Sequence, residues 1–449
     1  WDPRVRPLQE GEVLDYDSSA YILNHTLRVE WPSLSFDVLR DGWGNERVRF
    51  PLRAAIVTGC QASHGNKNQL TVMKMTDLHR TQRDDESDSG DDDDSDDDDE
   101  ESLRRRSTRN VDPLVSARSF PHPGGTNRIR SMPQAPHIVA TMADTGQAHV
   151  WDIRGQMRQL HIAEQKRLDA ENMGVGDVTA PASGNTSTAM GHNVIRTQPL
   201  QSFKGHPEEG FAVDWSPKVK GNLLTGDCSR HIYFWEPLEG GSRWHINKQP
   251  FTGHTDSVED IQWSPVEPTV FASCSVDKSV RIWDTRRRKK PMLNIMGAHS
   301  TDVNVISWNT VKTYLVASGG DDGSFKIWDL RNLKQTQADF RWHRNPITSI
   351  EWHPTDETVL IAASADNSIS WWDLSVEGES ADGQHTATAP SGDVPPQLLF
   401  LHHGCRNIKE VHFHPQLPGV AIATAESGFS VFKPCNADPV GTGSWATPT

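Results

Sequence analysis

The stretch VASGGDDGSFKIWD, residues 316–329, determines how the rest of this sequence is interpreted. Three other segments align with it: LLTGDCSRHIYFWE at 223–236, FASCSVDKSVRIWD at 271–284 and IAASADNSISWWD at 361–373. The four tryptophans, Trp235, Trp283, Trp328 and Trp372, are spaced by 48, 45 and 44 residues. Such a regular period indicates one structural unit that is repeated along the chain.

Each unit carries two further shared features upstream of its tryptophan. The nearer one reads DWSP (214–217), IQWSP (261–265), ISWNT (306–310) or IEWHP (350–354), and a histidine, His206, His254, His299 or His343, precedes it. A unit of about 40–45 residues that runs from a histidine to Trp-Asp is typical of a WD-repeat blade, which has four short antiparallel strands.

Three weaker copies complete the count. They cover residues 49–75, 127–152 and 408–433, the last with Glu426 and Phe432 in place of the aspartate and the tryptophan. The sequence therefore predicts an all-β fold, a seven-bladed WD40 β-propeller over residues 31–435. Closing the ring leaves no free sheet edge, which keeps an all-strand chain from pairing with other chains.

The repeat has a physical meaning as a hydrogen-bonded staple within each blade. The expected members are a loop histidine, a hydroxyl, a turn aspartate and the tryptophan: His299, Ser318, Asp322 and Trp328 in one blade, and His254, Ser273, Asp277 and Trp283 in the blade before it. Two staples are predicted to be incomplete, because Ala362 replaces one hydroxyl and Ser229 replaces one aspartate. We interpret these residues as structural rather than catalytic.

The residues before the ring are expected to form an extension, 1–30, that contains an α-helix. The apolar positions Tyr21, Leu23, Leu27 and Val29 suggest an amphipathic pattern, with Asp17 or Ser18 as the helix cap. The stretch WPSLSFDVL (31–39) is predicted to pair with the last blade and close the circle, and 436–449 is a C-terminal tail. Because the chain begins at Trp1 and not at methionine, we expect a segment to precede it.

Departures from the repeat length mark three insertions. Residues 156–200 hold a polar piece with helical character and then a Gly/Ser/Thr-rich linker, 375–397 form a second inserted loop, and 84–110 form an acidic insertion that we expect to be disordered. Loops on a rigid scaffold often carry binding specificity.

The acidic insertion accounts for almost all of the chain's net charge of −15. Residues 84–101 read DDESDSGDDDDSDDDDEE, and we expect their carboxylates to bind a strongly basic partner, although a purely solubilising loop is the alternative. The residues expected to make this contact are Asp91, Asp92, Asp93, Asp94, Asp96, Asp97, Asp98, Asp99, Glu100 and Glu101. Ser89 and Ser95 lie among acids and are candidate phosphorylation sites, where phosphate would add negative charge.

Nothing in the sequence indicates an enzyme, a cofactor or a metal site. We find no phosphate-binding glycine loop and no GxSxG motif, and the adjacent His402 and His403 lack neighbouring metal ligands. The five cysteines are scattered and odd in number, which fits a reducing compartment. The apolar runs are too short to span a bilayer, so no membrane partner is expected.

Three phrases carry a family resemblance that covers essentially the whole chain. They are SSAYILNHTLRVEWPSLSFDVL (18–39), NRIRSMPQAPHIVAT (127–141) and VPPQLLFLHHG (394–404). With them the chain resembles the histone-binding WD-repeat proteins of the retinoblastoma-binding, chromatin-assembly-factor type. It is more similar to their nucleolar relatives, the glutamate-rich WD-repeat proteins.

The resemblance implies a partner groove and a client. In the histone-binding relatives a groove between the N-terminal helix and the loop ending in Pro-Pro holds a basic helix. Carried over by motif, the groove here would comprise Leu23, Leu27, Glu377, Glu379, Asp382, Asp393, Pro395, Pro396, Leu398 and Phe400. The loop is less acidic than in the histone binders. Similarity to the glutamate-rich branch implies a dedicated chaperone for a large-subunit ribosomal protein, L-three, in ribosome biogenesis.

The expected setting is the nucleus and nucleolus, with the cytoplasm as a further location, and a monomer that contacts the pre-ribosomal particle through its client. Two other functions remain open from the sequence. One is a histone chaperone in chromatin assembly. The other is a substrate adaptor of a cullin-based ubiquitin ligase, suggested by WDIR (151–154), WDTR (283–286) and WDLR (328–331).

Overall fold

A computed structural model describes residues 17–63, 65–81, 112–172, 197–376, 385–387 and 394–437. Within these residues the strands form seven sheets, each with four antiparallel strands, that follow one another around a ring, which confirms the predicted seven-bladed propeller. All five cysteines are free thiols. Across the described ranges, no helix combines the length and the apolar character that spanning a bilayer would require.

The first strand, β1 (Tyr21–Arg28), precedes blade 1, and blades 1 to 4 are each built from four strands that follow one another in the chain. Blade 1 contains β2 (Ser35–Val38), β3 (Leu52–Gly59), β4 (Gln69–Leu78) and β5 (Leu114–Pro121); blade 2 contains β6 (Thr126–Met132), β7 (Ala135–Ala143), β8 (Ala148–Asp152) and β9 (Gln201–Phe203); blade 3 contains β10 (Ala212–Trp215), β11 (Leu223–Gly226), β12 (Ile232–Pro237) and β13 (Trp244–Ile246); blade 4 contains β14 (Val258–Trp263), β15 (Val270–Ser275), β16 (Val280–Asp284) and β17 (Leu293–Ile295).

The remaining blades depart slightly from this plan. Blade 5 contains β18 (Val303–Trp308), β19 (Leu315–Gly320), β20 (Phe325–Asp329) and β21 (Ala338–Phe340); blade 6 contains β22 (Ile347–Trp352), β23 (Val359–Ser364), β24 (Ile369–Asp373) and β26 (Leu398–His402); blade 7 contains β27 (Val411–Phe413), β28 (Ala421–Ala425), β29 (Gly428–Pro434) and β1. A short strand of the second insertion, β25 (His385–Ala387), pairs in parallel with the outer edge of β21.

The ring closes through β1, which corrects two sequence predictions. β1 pairs antiparallel with β29, so Tyr21–Arg28 is a strand and not part of a helix, and Asp17 caps only a single 3-10 turn, Ser18–Ala20. The predicted helix positions before residue 17 lie outside the described residues. The apolar positions also fit a period of two, and the open edge of β29 supplies the backbone partners that fix the strand.

The stretch predicted to close the circle instead opens the first blade. Within residues 31–39, Ser35–Val38 forms the inner strand of blade 1 and pairs with β3. Its Phe36 is fully buried and contacts Phe429 and His412 edge-on, at ring-centroid distances of 5.5 and 5.0 Å. The N-terminal chain therefore joins blade 7 to blade 1 with two strands instead of one.

Side chains of the inner strands connect each blade to the next. Acceptors on one blade receive a backbone N–H from the following blade: Asp37 from Ser131 (2.6 Å), Asp214 from Trp263 (2.7 Å), Asp260 from Ile306 (3.1 Å), Ser307 from Trp352 (3.1 Å), Ser349 from Val411 (3.2 Å) and Glu410 from Phe36 (2.7 Å). Between blades 2 and 3, Arg128 donates to the carbonyl of Phe211. A hydrogen bond between a side chain and the backbone therefore bridges each of the seven junctions.

The predicted staples form, and those expected to be incomplete are also complete. In blade 5, Trp328 Nε1–H donates to Ser318 Oγ (2.8 Å), which contacts His299 Nε2 (2.8 Å), while His299 Nδ1 contacts Asp322 (3.2 Å). In blade 4, Ser273 and Asp277 make the same contacts with His254.

Two substituted positions are rescued by neighbours, which corrects the prediction. Ala362 has no hydroxyl, but its cross-strand partner Ser370 lies 2.7 Å from both His343 Nε2 and Trp372 Nε1. In blade 3, Asp227 at the start of the turn replaces Ser229 and contacts His206 Nδ1 at 2.7 Å.

The insertion predicted at residues 156–200 begins with α1 (Arg154–Asn172), the only α-helix among the described residues, as its polar sequence predicted. Leu160 is buried against blades 1 and 2. Glu164 forms ion pairs with Lys74 on β4 and with Arg53 on β3, the latter at 3.5 Å. These two strands of blade 1 therefore hold the helix in place. Residues 173–196, the predicted linker, lie outside the described residues.

Candidate protein-binding site

The two ends of the ring carry different loops. Turns between the second and third strands of each blade, together with the connections between blades, lie at one end, which we call the staple end because the staple aspartates lie there. Turns between the first and second strands lie at the other end, which we call the basal end; the turn prolines of five blades line the channel mouth there. The acidic insertion leaves blade 1 between β4 and β5, at the basal end.

Six carboxylates gather at the staple end of blades 3 to 5. We call them the acidic cluster: Glu208, Glu209, Asp256, Glu259, Asp302 and Asp321. Burial, and then repulsion by Asp321 and Asp256, raise the pKa of Asp302. Burial is also the main cause that raises the pKa of Glu259, with Asp302 adding to it. Repulsion between neighbouring carboxylates therefore adds to the effect of burial on both pKa values.

Backbone hydrogen bonds hold the acidic cluster in position. Asp321 N–H donates to the carbonyl of Asp302 at 3.0 Å, and Cys228 N–H donates to that of Glu209 at 2.9 Å. The side chain of Asn304 donates to Asp321 at 2.7 Å. The carboxylates are therefore presented from fixed turns, so a cationic partner would not have to order them first.

Cations near the acidic cluster only partly balance it. Lys278 lowers the pKa of Asp302 and donates its ammonium group to the carbonyl of Ser300 at 2.7 Å. Arg128 lowers the pKa of Glu259 but is itself paired with Glu410 at 2.8 Å. The arrangement suits the binding of additional lysine or arginine side chains.

The sequence could not have identified the acidic cluster. Its members are spread from residue 208 to residue 321, and only Glu208 and Glu209 are adjacent. Each residue of the acidic cluster lies beside a turn of its blade. The repeat places equivalent turns at one end of the ring, and this was the only feature of the sequence that could have indicated that these residues lie near each other.

The groove residues predicted from the resemblance are not all brought together. Leu23 and Leu27 are buried in the apolar core between blades 7 and 1. Leu398 and Phe400 are half-buried on β26, the outer strand of blade 6. Pro395 is buried and Pro396 is exposed. Glu377, Glu379, Asp382 and Asp393 lie outside the described residues. The binding role of these residues stays a prediction.

A different N-terminal residue, Tyr21, packs against blade 6 near Pro395 and Pro396. A bulge in β1 after Tyr21 places the Tyr21 side chain on the face opposite Leu23, where its aromatic ring contacts that of Phe400 at a centroid distance of 5.1 Å. Its hydroxyl lies 2.8 Å from Nδ1 of His402, and a cavity of about 370 Å³ opens beside these groups. The described part of the predicted groove is therefore built on Tyr21 and Phe400.

The acidic stretch 84–101, with Ser89 and Ser95, lies outside the described residues, so its contacts stay predictions. Within the described residues no group of three or more His, Cys, Asp or Glu side chains is placed to hold a metal ion.

The arginines of the WDxR motifs bind the aspartate of their own motif. Arg286 donates to both carboxylate oxygens of Asp284, and Arg331 does the same with Asp329. Both arginine side chains remain exposed, at 73% and 64% of their surface. The adaptor function suggested by these motifs stays a prediction.

Comparisons with known proteins match both halves of this chain. The family model that describes histone-binding protein RBBP4 and the equivalent component of the CAF1 complex matches residues 11–79. The model described as WD domain, G-beta repeat, matches residues 246–284, 290–329 and 334–373.

Several relatives are similar over nearly the whole chain. Protein HEAT STRESS TOLERANT DWD 1 of Arabidopsis thaliana is 43% identical over 97% of this chain and 91% of that protein. Ribosome assembly protein rrb1 of Schizosaccharomyces pombe is 40% identical over 95% of this chain and 82% of that protein. Glutamate-rich WD repeat-containing protein 1 of Dictyostelium discoideum is 44% identical over 98% of this chain and 85% of that protein. Histone acetyltransferase type B subunit 2 of Schizosaccharomyces pombe is 28% identical over 62% of this chain and 56% of that protein.

Proposed function

Because this chain belongs to the glutamate-rich WD-repeat protein family, we propose that it is a non-enzymatic chaperone in ribosome biogenesis. Its client is a basic large-subunit ribosomal protein of the L-three type. The chaperone shields the client's positive charge until the client enters the large pre-ribosomal particle. We place this activity in the nucleus and nucleolus, with the cytoplasm as a further site where the client is first bound.

The observation that carries the proposal is full-length similarity to a protein named for ribosome assembly. The relative rrb1 is 40% identical over 95% of this chain, so the likeness includes all blades and not only the generic repeat. Client identity rests on the family resemblance and on charge. The acidic stretch and the acidic cluster both suit a partner rich in lysine and arginine.

The two acidic regions have different physical roles in this mechanism. The acidic stretch carries dense charge, which raises the rate of encounter with a basic client. The acidic cluster presents carboxylates in fixed positions, which supports contacts with particular side chains of the client. Ribosomal RNA, a denser polyanion, then displaces both from the client when it joins the particle.

A salt titration with matched variants tests the proposal. Client binding is expected to weaken steeply as salt increases, and to lose much of this dependence when residues 84–101 are replaced by a Gly/Ser linker of equal length. Joint substitution Asp256→Asn, Asp302→Asn and Asp321→Asn should weaken binding about tenfold or more. The exposed Asp169→Asn, on α1, is the control. Salt dependence that is the same with and without the stretch would refute the charge mechanism.

Histone binding is the second candidate, because the family model over residues 11–79 is described as histone-binding. Affinities for a histone pair and for the ribosomal protein should be measured at the same salt concentration. We expect the ribosomal protein to bind more tightly. A histone preference of tenfold or more would reverse the assignment of the client.

A further inference from the structure

A cavity of about 450 Å³ lies at the basal end, where blades 6, 7 and 1 meet. Its walls are the turns that follow the inner strands of these three blades, together with residues of β1, of β29 and of the segment just after β4. The apolar lining comprises Ile22, Val48, Phe50, Pro354, Pro415 and Pro418. The cavity is separate from the acidic cluster, which lies at the staple end, and shares no lining residue with the cavity beside Tyr21.

One buried donor of this cavity has no partner among the described residues. His414 is 2% exposed, and its Nδ1 accepts the N–H of Gln416 at 3.1 Å. The ring proton is therefore on Nε2, which makes no hydrogen bond within the described part of the chain. Burial lowers the pKa of His414 to about 3, so the ring is a neutral donor that requires an acceptor.

The surroundings of His414 favour an acceptor with negative charge. Arg80 and Lys433 line the cavity. Arg47 and Arg40 lie close enough to add to the lowering of the His414 pKa. Arg80 and Lys433 thus share the cavity lining with one carboxylate, Glu46, while Arg47 nearby pairs with Asp41 at 2.9 Å. A carboxylate would satisfy both the buried N–H and this positive surface.

The last described residue before the acidic stretch, Thr81, lies beside the cavity. Thr81 is fixed beside it, because its N–H donates to the carbonyl of Ile22 at 3.0 Å and its hydroxyl accepts the N–H of Asn24 at 2.6 Å. The acidic stretch starts three residues later, at Asp84. Three residues span up to about 10 Å, so the first carboxylates are within reach of the cavity.

We propose that this cavity is a carboxylate-binding site and that its ligand is the beginning of the chain's own acidic stretch, residues 84–101. The short tether from Thr81 gives this ligand a high effective concentration at the site. A basic client must then compete with the cavity for the first carboxylates. This last consequence rests on the proposed function, whereas binding to the cavity does not.

The test uses the full chain and a variant in which residues 84–101 are replaced by a Gly/Ser linker of equal length. The probe is a fluorescently labelled peptide with the sequence of residues 82–101, and binding is followed by anisotropy. The linker variant should bind the peptide at least tenfold more tightly than the intact chain, because the intact chain already fills its cavity.

Substitutions in the linker variant locate the binding. Val48 is 61% exposed, so Val48→Asp and Val48→Lys change the charge of the cavity wall without burying it. We expect Val48→Asp to weaken peptide binding about three- to fivefold and Val48→Lys to tighten it by a similar factor, which is the size of effect seen for exposed charge pairs. His414→Phe should also weaken it, and His414→Gln, which keeps a donor, should weaken it less. Lys278→Gln at the staple end is the matched control.

Two results would overturn the proposal. One is equal peptide affinity for the intact chain and the linker variant. The other is an equal effect of Lys278→Gln and of Val48→Asp, which would mean unspecific charge attraction. Neither depends on whether a ribosomal protein binds, so client binding can fail or succeed independently.

Discussion

At the scale of single residues, one hydroxyl organises each staple. Ser318 Oγ accepts the indole N–H of Trp328 and donates its own proton to Nε2 of His299. His299 in turn donates its Nδ1 proton to Asp322. Burial opposes ionisation of Asp322, but the hydrogen bonds from His299 and Ser324 lower its pKa well below the usual range. The chain of donors has one direction, from the indole to the carboxylate.

Removing this hydroxyl should therefore be costly. Ser318→Ala leaves the N–H of Trp328 and Nε2 of His299 buried without a partner, and we expect a loss of about 2–4 kcal/mol in the free energy of unfolding. Ser300→Ala is the control, because the exposed Ser300 contacts the same Asp322 at 2.9 Å and should cost less than about 0.5 kcal/mol. Urea unfolding of the three proteins measures both values. Equal losses would contradict the role assigned to Ser318.

Blade 7 shows how far a staple can change while keeping its contacts. His402 stacks on Phe432 at a centroid distance of 3.9 Å, and its Nε2 lies 3.2 Å from Ser430. Tyr21 supplies the contact to Nδ1 that an aspartate makes elsewhere, while Glu426 at the aligned position is exposed. Alignment alone could not reveal this, because Tyr21 is 381 residues away from its partner.

At the scale of elements, β1 illustrates a pattern that fits two periods. The apolar residues Tyr21, Leu23, Leu27 and Val29 lie at odd positions, which is the period of a strand, yet their spacing also allows an amphipathic helix. The open edge of β29 decided between them. A strand paired there hydrogen-bonds one side of its backbone to β29, and the last blade gains its fourth strand.

Charged substitutions on alternate sides of β1 test this pairing. Leu27 is 5% exposed, so Leu27→Asp places an unpaired charge in the core between blades 7 and 1. We expect it to lower the free energy of unfolding by at least about 4 kcal/mol. The neighbouring Thr26 is exposed, so Thr26→Asp should change the free energy of unfolding by less than about 1 kcal/mol. Thermal unfolding of both variants is the measurement, and similar melting temperatures would argue against a strand.

At the scale of the whole molecule, the ring is held by apolar packing between blades and by the bridges between inner strands. Glu410 is the most heavily used bridge, because it accepts the N–H of Phe36 and pairs with Arg128 and Arg130. Burial opposes its charge, but Arg130 and the neighbouring His412 hold its pKa well below the usual range. This one carboxylate joins blades 7, 1 and 2, where the two ends of the chain meet.

Buried histidines make the stability of the whole ring depend on pH. Burial lowers the pKa of His149 to about 4 and the pKa values of His402 and His414 to about 3. Between about pH 6.5 and these values the unfolded chain binds more protons than the folded chain, so the free energy of unfolding falls as the pH decreases. At pH 5 the loss relative to pH 7 is on the order of 2 kcal/mol for each histidine.

Asp214 and His412 act differently from these histidines. Burial raises the pKa of Asp214 to about 7, so this group opposes the histidines between pH 7 and about 4. Although burial opposes it, Glu351 and Glu410 raise the pKa of His412 to about 10, so its contribution is complete below about pH 6.5 and is lost towards pH 10. Urea unfolding from pH 5 to 9 should show a maximum near neutrality. His402→Gln should make the acid side less steep, and an unchanged slope would contradict the assignment.

The amino-acid sequence by itself determined the number of blades, the staple chemistry of blades 4 and 5, the helical start of the first insertion and the concentration of charge in residues 84–101. These features follow from local spacing, and a repeat fixes local spacing. The tertiary structure alone decided that Tyr21–Arg28 is the closing strand, that Ser370 and Asp227 complete two staples, and that six distant carboxylates form the acidic cluster. Each of these depends on which segments become neighbours when the ring closes, and hydrogen-bond partners across a closed ring are set by three-dimensional proximity and not by distance along the chain.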